Sequence, residues 1–172
     1  MNPFAWSFRA QFLFGFACCA ALLGYALFVQ FQLGIQPCPF CIFQRICFAA
    51  LGLVFLLGGL HAPRSSGGRK AWGIAALLAA LVGVGYAGRH SWVQLYPPQM
   101  PSCGPGLNFI VEQYSWLGAA KRVLQATGDC SNIDWLFLGL SMPMWALVWF
   151  AGLGLGGLYA GFKHRHVYLF RK

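Results

Sequence analysis

The chain has 172 residues, of which 59% are hydrophobic, 17% aromatic and only 9% charged. Soluble domains carry roughly 25% charged residues, so composition excludes an ordinary soluble domain and indicates a membrane protein. The net charge of +9 comes with no basic–aromatic module and no nucleic-acid motif, which excludes a DNA- or RNA-binding reading.

A helix needs about 20 mostly apolar residues to cross a bilayer. Four stretches qualify, at about 10–33, 40–60, 71–89 and 142–162. In the first, Phe12 to Val29 carries no charge. That run exceeds the ~7–15 apolar residues of a signal peptide, so it is read as a retained anchor. A short 34–39 loop leads into the second span. Ala62-Pro63-Arg64-Ser65-Ser66-Gly67-Gly68 is a turn, and Ala71 to Gly88 again carries no charge. The 90–141 connection is long for a bundle, and long loops in compact domains usually carry function. Within it, Leu107 to Gln125 reads as a short amphipathic helix on the membrane surface. The fourth span holds Gly152/Gly156 and Gly157/Gly161, small residues spaced to let helices approach closely in lipid. The expected fold is all-α: one four-transmembrane-helix bundle over residues 1–172, with a long outer loop.

Charge placement orients these spans. Arg9, Arg64, Arg69, Lys70, Lys163, Arg165, Arg171 and Lys172 all fall on one side if there are four crossings. The positive-inside rule makes that side cytoplasmic. Both termini are then inside, and the 34–39 and 90–141 loops, with Glu112, Asp129 and Asp134, are outside.

Two cysteine pairs lie on that outer side. Cys38 and Cys41 form a C-x-x-C where the second span begins. Pro39 suits a first helical turn, where its missing N–H would have had no partner. Cys41 then sits where the helix dipole favours a thiolate. Arg45, four residues on, shares its face one turn away and could hold that anion or bind a carbonyl oxygen; a snorkelling contact with lipid phosphate is the plainer reading. The second pair is Cys103 and Cys130. A disulfide between them could be a structural staple, restricting the unfolded chain by roughly 3–4 kcal/mol. It could also be exchangeable, since the Gly and Pro around Cys103 suit an exposed sulfur open to an external thiolate. A second outward dithiol nearby favours exchange. A Cys₄ zinc site would want tighter spacing in the second pair, and covalent haem would need histidine where Ile42 stands. No metal ligands are therefore assigned.

The motifs Pro37-Cys38-Pro39-Phe40-Cys41-Ile42-Phe43-Gln44-Arg45, Gln94-Leu95-Tyr96-Pro97, Gly128-Asp129-Cys130 and Trp135 to Trp145, in this order, resemble the disulfide bond formation protein B (DsbB) family over nearly the whole chain. The resemblance implies a bacterial inner-membrane, four-helix oxidoreductase. It would reoxidise a periplasmic DsbA-like, thioredoxin-fold thiol oxidase and pass the electrons to ubiquinone or menaquinone in the bilayer. By position, Cys103 would receive the partner's thiolate. Cys130 would complete a Cys103–Cys130 disulfide and transiently pair with Cys38. Cys41 of a Cys38–Cys41 disulfide would donate to the quinone, with Arg45 stabilising charge there and His90 near the ring. Leu95 and Tyr96 could shape the pocket. The alternatives are a vitamin K epoxide reductase-like enzyme or a non-catalytic membrane protein that is stapled or metal-binding. Cys18, Cys19 and Cys47 read as small buried hydrophobes, His164 and His166 as part of a solvated basic end, and Trp135 and Trp145 as interfacial aromatics.

Overall fold

Among the described residues, four long helices carry the apolar stretches: α1 (Phe8–Gln32), α2 (Pro39–His61), α3 (Ser66–Leu95) and α4 (Met142–Phe162). The computed structural model describes residues 6–32, 34, 37–97 and 136–163. Cys103, Cys130, the expected amphipathic 107–125 segment, Trp135, His164 and His166 lie outside the described residues. All four helices are long and apolar enough to cross a membrane. Their outward faces remain apolar, with Phe14, Phe28, Leu53, Leu78, Val82 and Leu155 exposed. In water these would be liabilities; in a bilayer they are the surface lipid requires.

The helix ends depart from hydropathy where caps decide them. Hydropathy starts the third helix at residue 71, but it begins at Ser66, because the Ser65 Oγ accepts the Gly68 N–H at 3.2 Å. It also runs past residue 89 to Leu95, so residues 90–95, expected in the outer loop, are helical. Its 30 residues measure about 45 Å at 1.5 Å per residue, longer than the ~30 Å hydrocarbon core. The apolar stretch marks what lipid touches, not where hydrogen bonding stops. Ahead of α4 lies a two-residue hairpin, β1 (Leu136–Phe137) with β2 (Leu140–Ser141), in register Leu136 to Ser141 and Phe137 to Leu140. Its turn has Leu138 at φ 52° and Gly139 at φ 77°, the paired positive φ values of a type I′ turn. Trp145 donates from Nε1 to the Phe137 carbonyl at 3.0 Å and ties the hairpin to α4.

Packing relies on aromatic rings set against small residues. α1 and α2 interlock reciprocally. A Cβ at Gly15 would lie 2.9 Å from the Phe55 ring, and one at Gly58 would lie 2.6 Å from the Phe12 ring. Phe12 and Phe55 are fully or nearly fully buried and meet edge to face at 5.2 Å. Across the bundle, Phe150 of α4 seats against Gly83 of α3 and stacks on Phe48 of α2 at 3.8 Å. Lipid tails compete with any apolar side chain, so close van der Waals fit stabilises such contacts more than apolarity does.

The glycine tract of α4 behaves only partly as its spacing suggests. Gly157 and Gly161 face α3: a Cβ at Gly161 would lie 2.7 Å from the Arg69 carbonyl oxygen and 3.0 Å from Gly73 Cα. Gly154 joins them against Ala80. Gly152 and Gly156, expected to pack as a pair, have nothing within 4 Å of a Cβ among the described residues. Residues 154, 157 and 161 follow the i, i+3, i+7 stripe of one helical face, and 152 and 156 fall off it.

Candidate functional site

The bundle end formed by the start of α2, the last turns of α3 and the last turns of α1 gathers polar groups that apolar spans rarely hold. Cys38 caps α2. Its backbone is extended (φ −68°, ψ 163°), Pro39 occupies the opening of the helix, and the Cys38 Sγ accepts the Cys41 N–H at 3.3 Å. A sulfur here replaces the Ser or Asp oxygen that usually caps a helix. The cap turns Cys41 back over Cys38, and the Cys38 thiol donates to the Cys41 Sγ at 3.0 Å. The two sulfurs are not covalently joined in this structure, yet only a small side-chain rotation separates them from the ~2.05 Å of a disulfide. Both are half-buried at the positive end of α2, which favours negative charge on sulfur.

His90 reaches this pair from α3. It is 2% exposed, and its Nε2 lies 3.8 Å from the Cys38 Sγ. The ring stacks on Phe40 at 5.2 Å with planes 16° apart. On the other side of the ring, the buried Gln44 donates from Nε2 to the His90 Nδ1 at 3.1 Å. An Nδ1 that accepts leaves the proton of the neutral ring on Nε2, aimed at Cys38. The side chain expected beside a quinone thus lies against the dithiol itself. Cys38, Cys41 and His90 bring their sulfur and nitrogen atoms within 4.8 Å of one another, although sequence had assigned no metal ligands.

Arg45, one turn beyond Cys41, is anchored to α1. Its Nη1 donates to the Gln30 Oε1, and its Nη2 donates to the Ala26 carbonyl at 3.0 Å. The guanidinium is therefore held in place by two acceptors, where a snorkelling arginine would swing freely toward lipid phosphate. At the same end the Ser141 hydroxyl, 1% exposed, donates to the Gln94 Oε1 at 2.6 Å, joining the start of α4 to α3. Leu95 and Tyr96 project outward, with Tyr96 packed on Trp92 at 4.6 Å.

Of the residues gathered here, the sequence singled out Cys38, Cys41 and Arg45, and His90 only through the family resemblance; it gave Gln44 and Gln30 no role. The signal was available: a glutamine facing inward from an apolar span is costly unless it is hydrogen-bonded. What sequence lacked was the facing helix that reveals the partner. Of the other cysteines, Cys19 and Cys47 are buried in the hydrophobic core with Cys18 packed against it, in keeping with packing roles.

Comparison with known proteins identifies the family of the chain. The family described as disulfide bond formation protein DsbB matches residues 8–160. The chain is 63% identical over 166 residues to disulfide bond formation protein B of Xanthomonas campestris pv. campestris (strain 8004), covering 96% of each. It is 61% identical to the protein of that name in Xanthomonas euvesicatoria pv. vesicatoria (strain 85-10), with the same coverage. It is 52% identical over 164 residues to that of Xylella fastidiosa (strain 9a5c), covering 95% of each. With four candidate spans and a dithiol at the head of one of them, the chain belongs to the DsbB family, as a multi-pass membrane oxidoreductase of disulfide bond formation.

Proposed function

We propose that this protein reoxidises a soluble thioredoxin-fold thiol oxidase in the periplasm and delivers the electrons to quinone in the inner membrane. The observation that carries the reading is the Cys38–Cys41 contact of 3.0 Å at the mouth of a membrane helix, backed by His90 and by an anchored Arg45. A dithiol that served only soluble proteins would not need to sit at the edge of the lipid.

The electrons move in pairs. The partner's thiolate attacks Cys103 of a Cys103–Cys130 disulfide, and the partner's second thiol resolves the mixed disulfide, leaving Cys103 and Cys130 reduced. The Cys130 thiolate then attacks Cys38 of the Cys38–Cys41 disulfide and releases Cys41 as a thiolate. Cys103 closes on Cys130 and releases Cys38, so two thiols now stand at the head of α2. When Cys38 and Cys41 re-form their bond they give up two electrons and two protons. A quinone, ubiquinone or menaquinone, supplies an acceptor for both.

The groups at the site suit such an acceptor: a sulfur nucleophile at Cys41, a cation at Arg45 for developing oxygen charge, and the flat Phe40–His90 stack. The Nε2–H of His90 stabilises the Cys38 anion by hydrogen bonding when Cys38 is the leaving sulfur. Arg64, Arg69, Lys70 and Lys163 lie at the opposite end of the helices from the dithiol. The positive-inside rule puts that end in the cytoplasm, with both termini inside and the cysteines facing the periplasm.

The test uses purified protein, ubiquinone and a reduced thioredoxin-fold partner, with quinone absorbance followed over time. The parent should reduce quinone catalytically and the Cys41→Ala variant should not. Equal rates in the two, or no reduction by either, would overturn the mechanism.

A further inference from the structure

We propose that the reduced Cys38–Cys41 pair and His90 form a site for a thiophilic divalent cation, Zn²⁺ or Cd²⁺, which holds the centre in its dithiol state. Two sulfurs and one imidazole nitrogen, contributed by two helices, converge with all ligating atoms within 4.8 Å. Zinc binds sulfur at ~2.3 Å and histidine nitrogen at ~2.0–2.1 Å in a tetrahedron, which sets S–S and S–N separations of roughly 3.8 Å and 3.6 Å. The Cys38 Sγ–His90 Nε2 distance of 3.8 Å is already near that value. The 3.0 Å between sulfurs must open by somewhat less than 1 Å, which χ1 rotation of either cysteine supplies.

The surroundings are those of a metal site as much as of a redox centre. Ligating histidines nearly always have the other ring nitrogen held by a hydrogen bond that fixes ring orientation. Gln44 is in that position on Nδ1 at 3.1 Å. When Nε2 takes a metal the ring proton moves to Nδ1, and a half-turn of the Gln44 amide presents Oε1 as its acceptor. Phe40 stacked on the ring limits its remaining freedom. Three protein ligands leave the fourth position for water or an external thiolate, the pattern of an open zinc site.

Binding displaces the two thiol protons and transfers no electrons, so only the reduced pair binds; a Cys38–Cys41 disulfide cannot. The site itself needs nothing from the quinone reading. Its consequence, that the cation stops turnover by keeping Cys38 and Cys41 reduced, rests on that reading.

The experiment uses the full chain in detergent, carrying Cys103→Ser and Cys130→Ser, reduced and titrated with Co²⁺. The expected result is one equivalent bound with the visible bands of tetrahedral, thiolate-ligated Co²⁺, displaced by Zn²⁺ and absent once the pair is oxidised. Gln44→Leu should weaken binding about 10- to 100-fold, as loss of such orienting partners does, and His90→Ala should weaken it further. X-ray absorption of the Zn²⁺ form needs no variant at the site and should find two sulfurs and at least one imidazole nitrogen. Absent tetrahedral bands, bands that survive Cys38→Ser with Cys41→Ser, or a four-sulfur shell would overturn the proposal. A protein that reduces quinone yet binds no Co²⁺ would lose this inference alone.

Discussion

Gln44→Leu is the sharpest probe of how the site works, because Gln44 touches His90 and has no chemistry of its own. The substitution puts an apolar side chain of similar size in the buried position and removes the donor to the His90 Nδ1 at 3.1 Å. The loss of one buried neutral hydrogen bond costs about 1 kcal/mol of stability. The larger consequence is the position of the ring proton. With Nδ1 accepting from Gln44, the neutral ring carries its proton on Nε2, which faces the Cys38 Sγ at 3.8 Å. Without Gln44 the ring is free to place the proton on Nδ1 and turn a lone pair toward sulfur. A hydrogen bond to a charged group is worth about 1.5–3 kcal/mol, and a contact as long as 3.8 Å belongs at the low end. That value corresponds to roughly a tenfold change. In reduced protein, alkylation of Cys38 at neutral pH, read by peptide mass spectrometry, should slow by about this factor. The deficit should vanish at high pH, where the thiol ionises whatever its neighbours. His90→Ala should slow Cys38 at least as much, and the double variant should be no slower than His90→Ala, since Gln44 acts only through the ring. Additive losses, or a Gln44→Leu protein with parental Cys38 reactivity at neutral pH, would refute the reasoning.

Three further outcomes follow from the same coordinates. Arg45→Gln should raise KM for quinone more than KM for the soluble partner. Arg45→Lys should restore little, because a point charge cannot fork between Gln30 and the Ala26 carbonyl as guanidinium does; equal changes in both KM values would contradict a role at the acceptor. Gly161→Leu should destabilise the bundle by about 1–3 kcal/mol or more, because a Cβ there meets the α3 backbone at 2.7 Å. Gly156→Ala, with nothing within 4 Å of a Cβ among the described residues, should be neutral or gain up to about 1 kcal/mol; thermal unfolding in detergent ranks the two. The combined Cys18→Ala, Cys19→Ala, Cys47→Ala protein should keep turnover near the parent's while losing about 1 kcal/mol at each of the buried Cys19 and Cys47 positions. Loss of quinone reduction in a folded triple variant would give one of these sulfurs a redox role.

Much of this protein was legible without coordinates. Membrane insertion follows from composition and from apolar runs long enough to cross a bilayer, because lipid tolerates no unsatisfied backbone and few charges. The head of α2 was equally readable: Pro39 and the C-x-x-C spacing are local devices acting within one helical turn, and the structure reproduces them as a sulfur cap. Helix ends were less so. Ser65 extends α3 beyond its apolar stretch, and the Leu138–Gly139 turn rests on positive φ angles that hydropathy does not report.

The pairing of faces was decided only in three dimensions. Spacing nominated four glycines of α4, and the position of α3 selected Gly157 and Gly161 while leaving Gly152 and Gly156 outward. Likewise, sequence alone placed Cys38 and Cys41 together, since only two residues lie between them. It could not bring His90 to Cys38 across 52 positions or assign Gln44 to His90 across 46, nor reveal that Arg45 is held by Gln30 and Ala26. Those contacts depend on how α1, α2 and α3 are rotated about their axes. Helix rotation is set by the sum of ring-into-glycine contacts along the whole interface, which no local motif encodes.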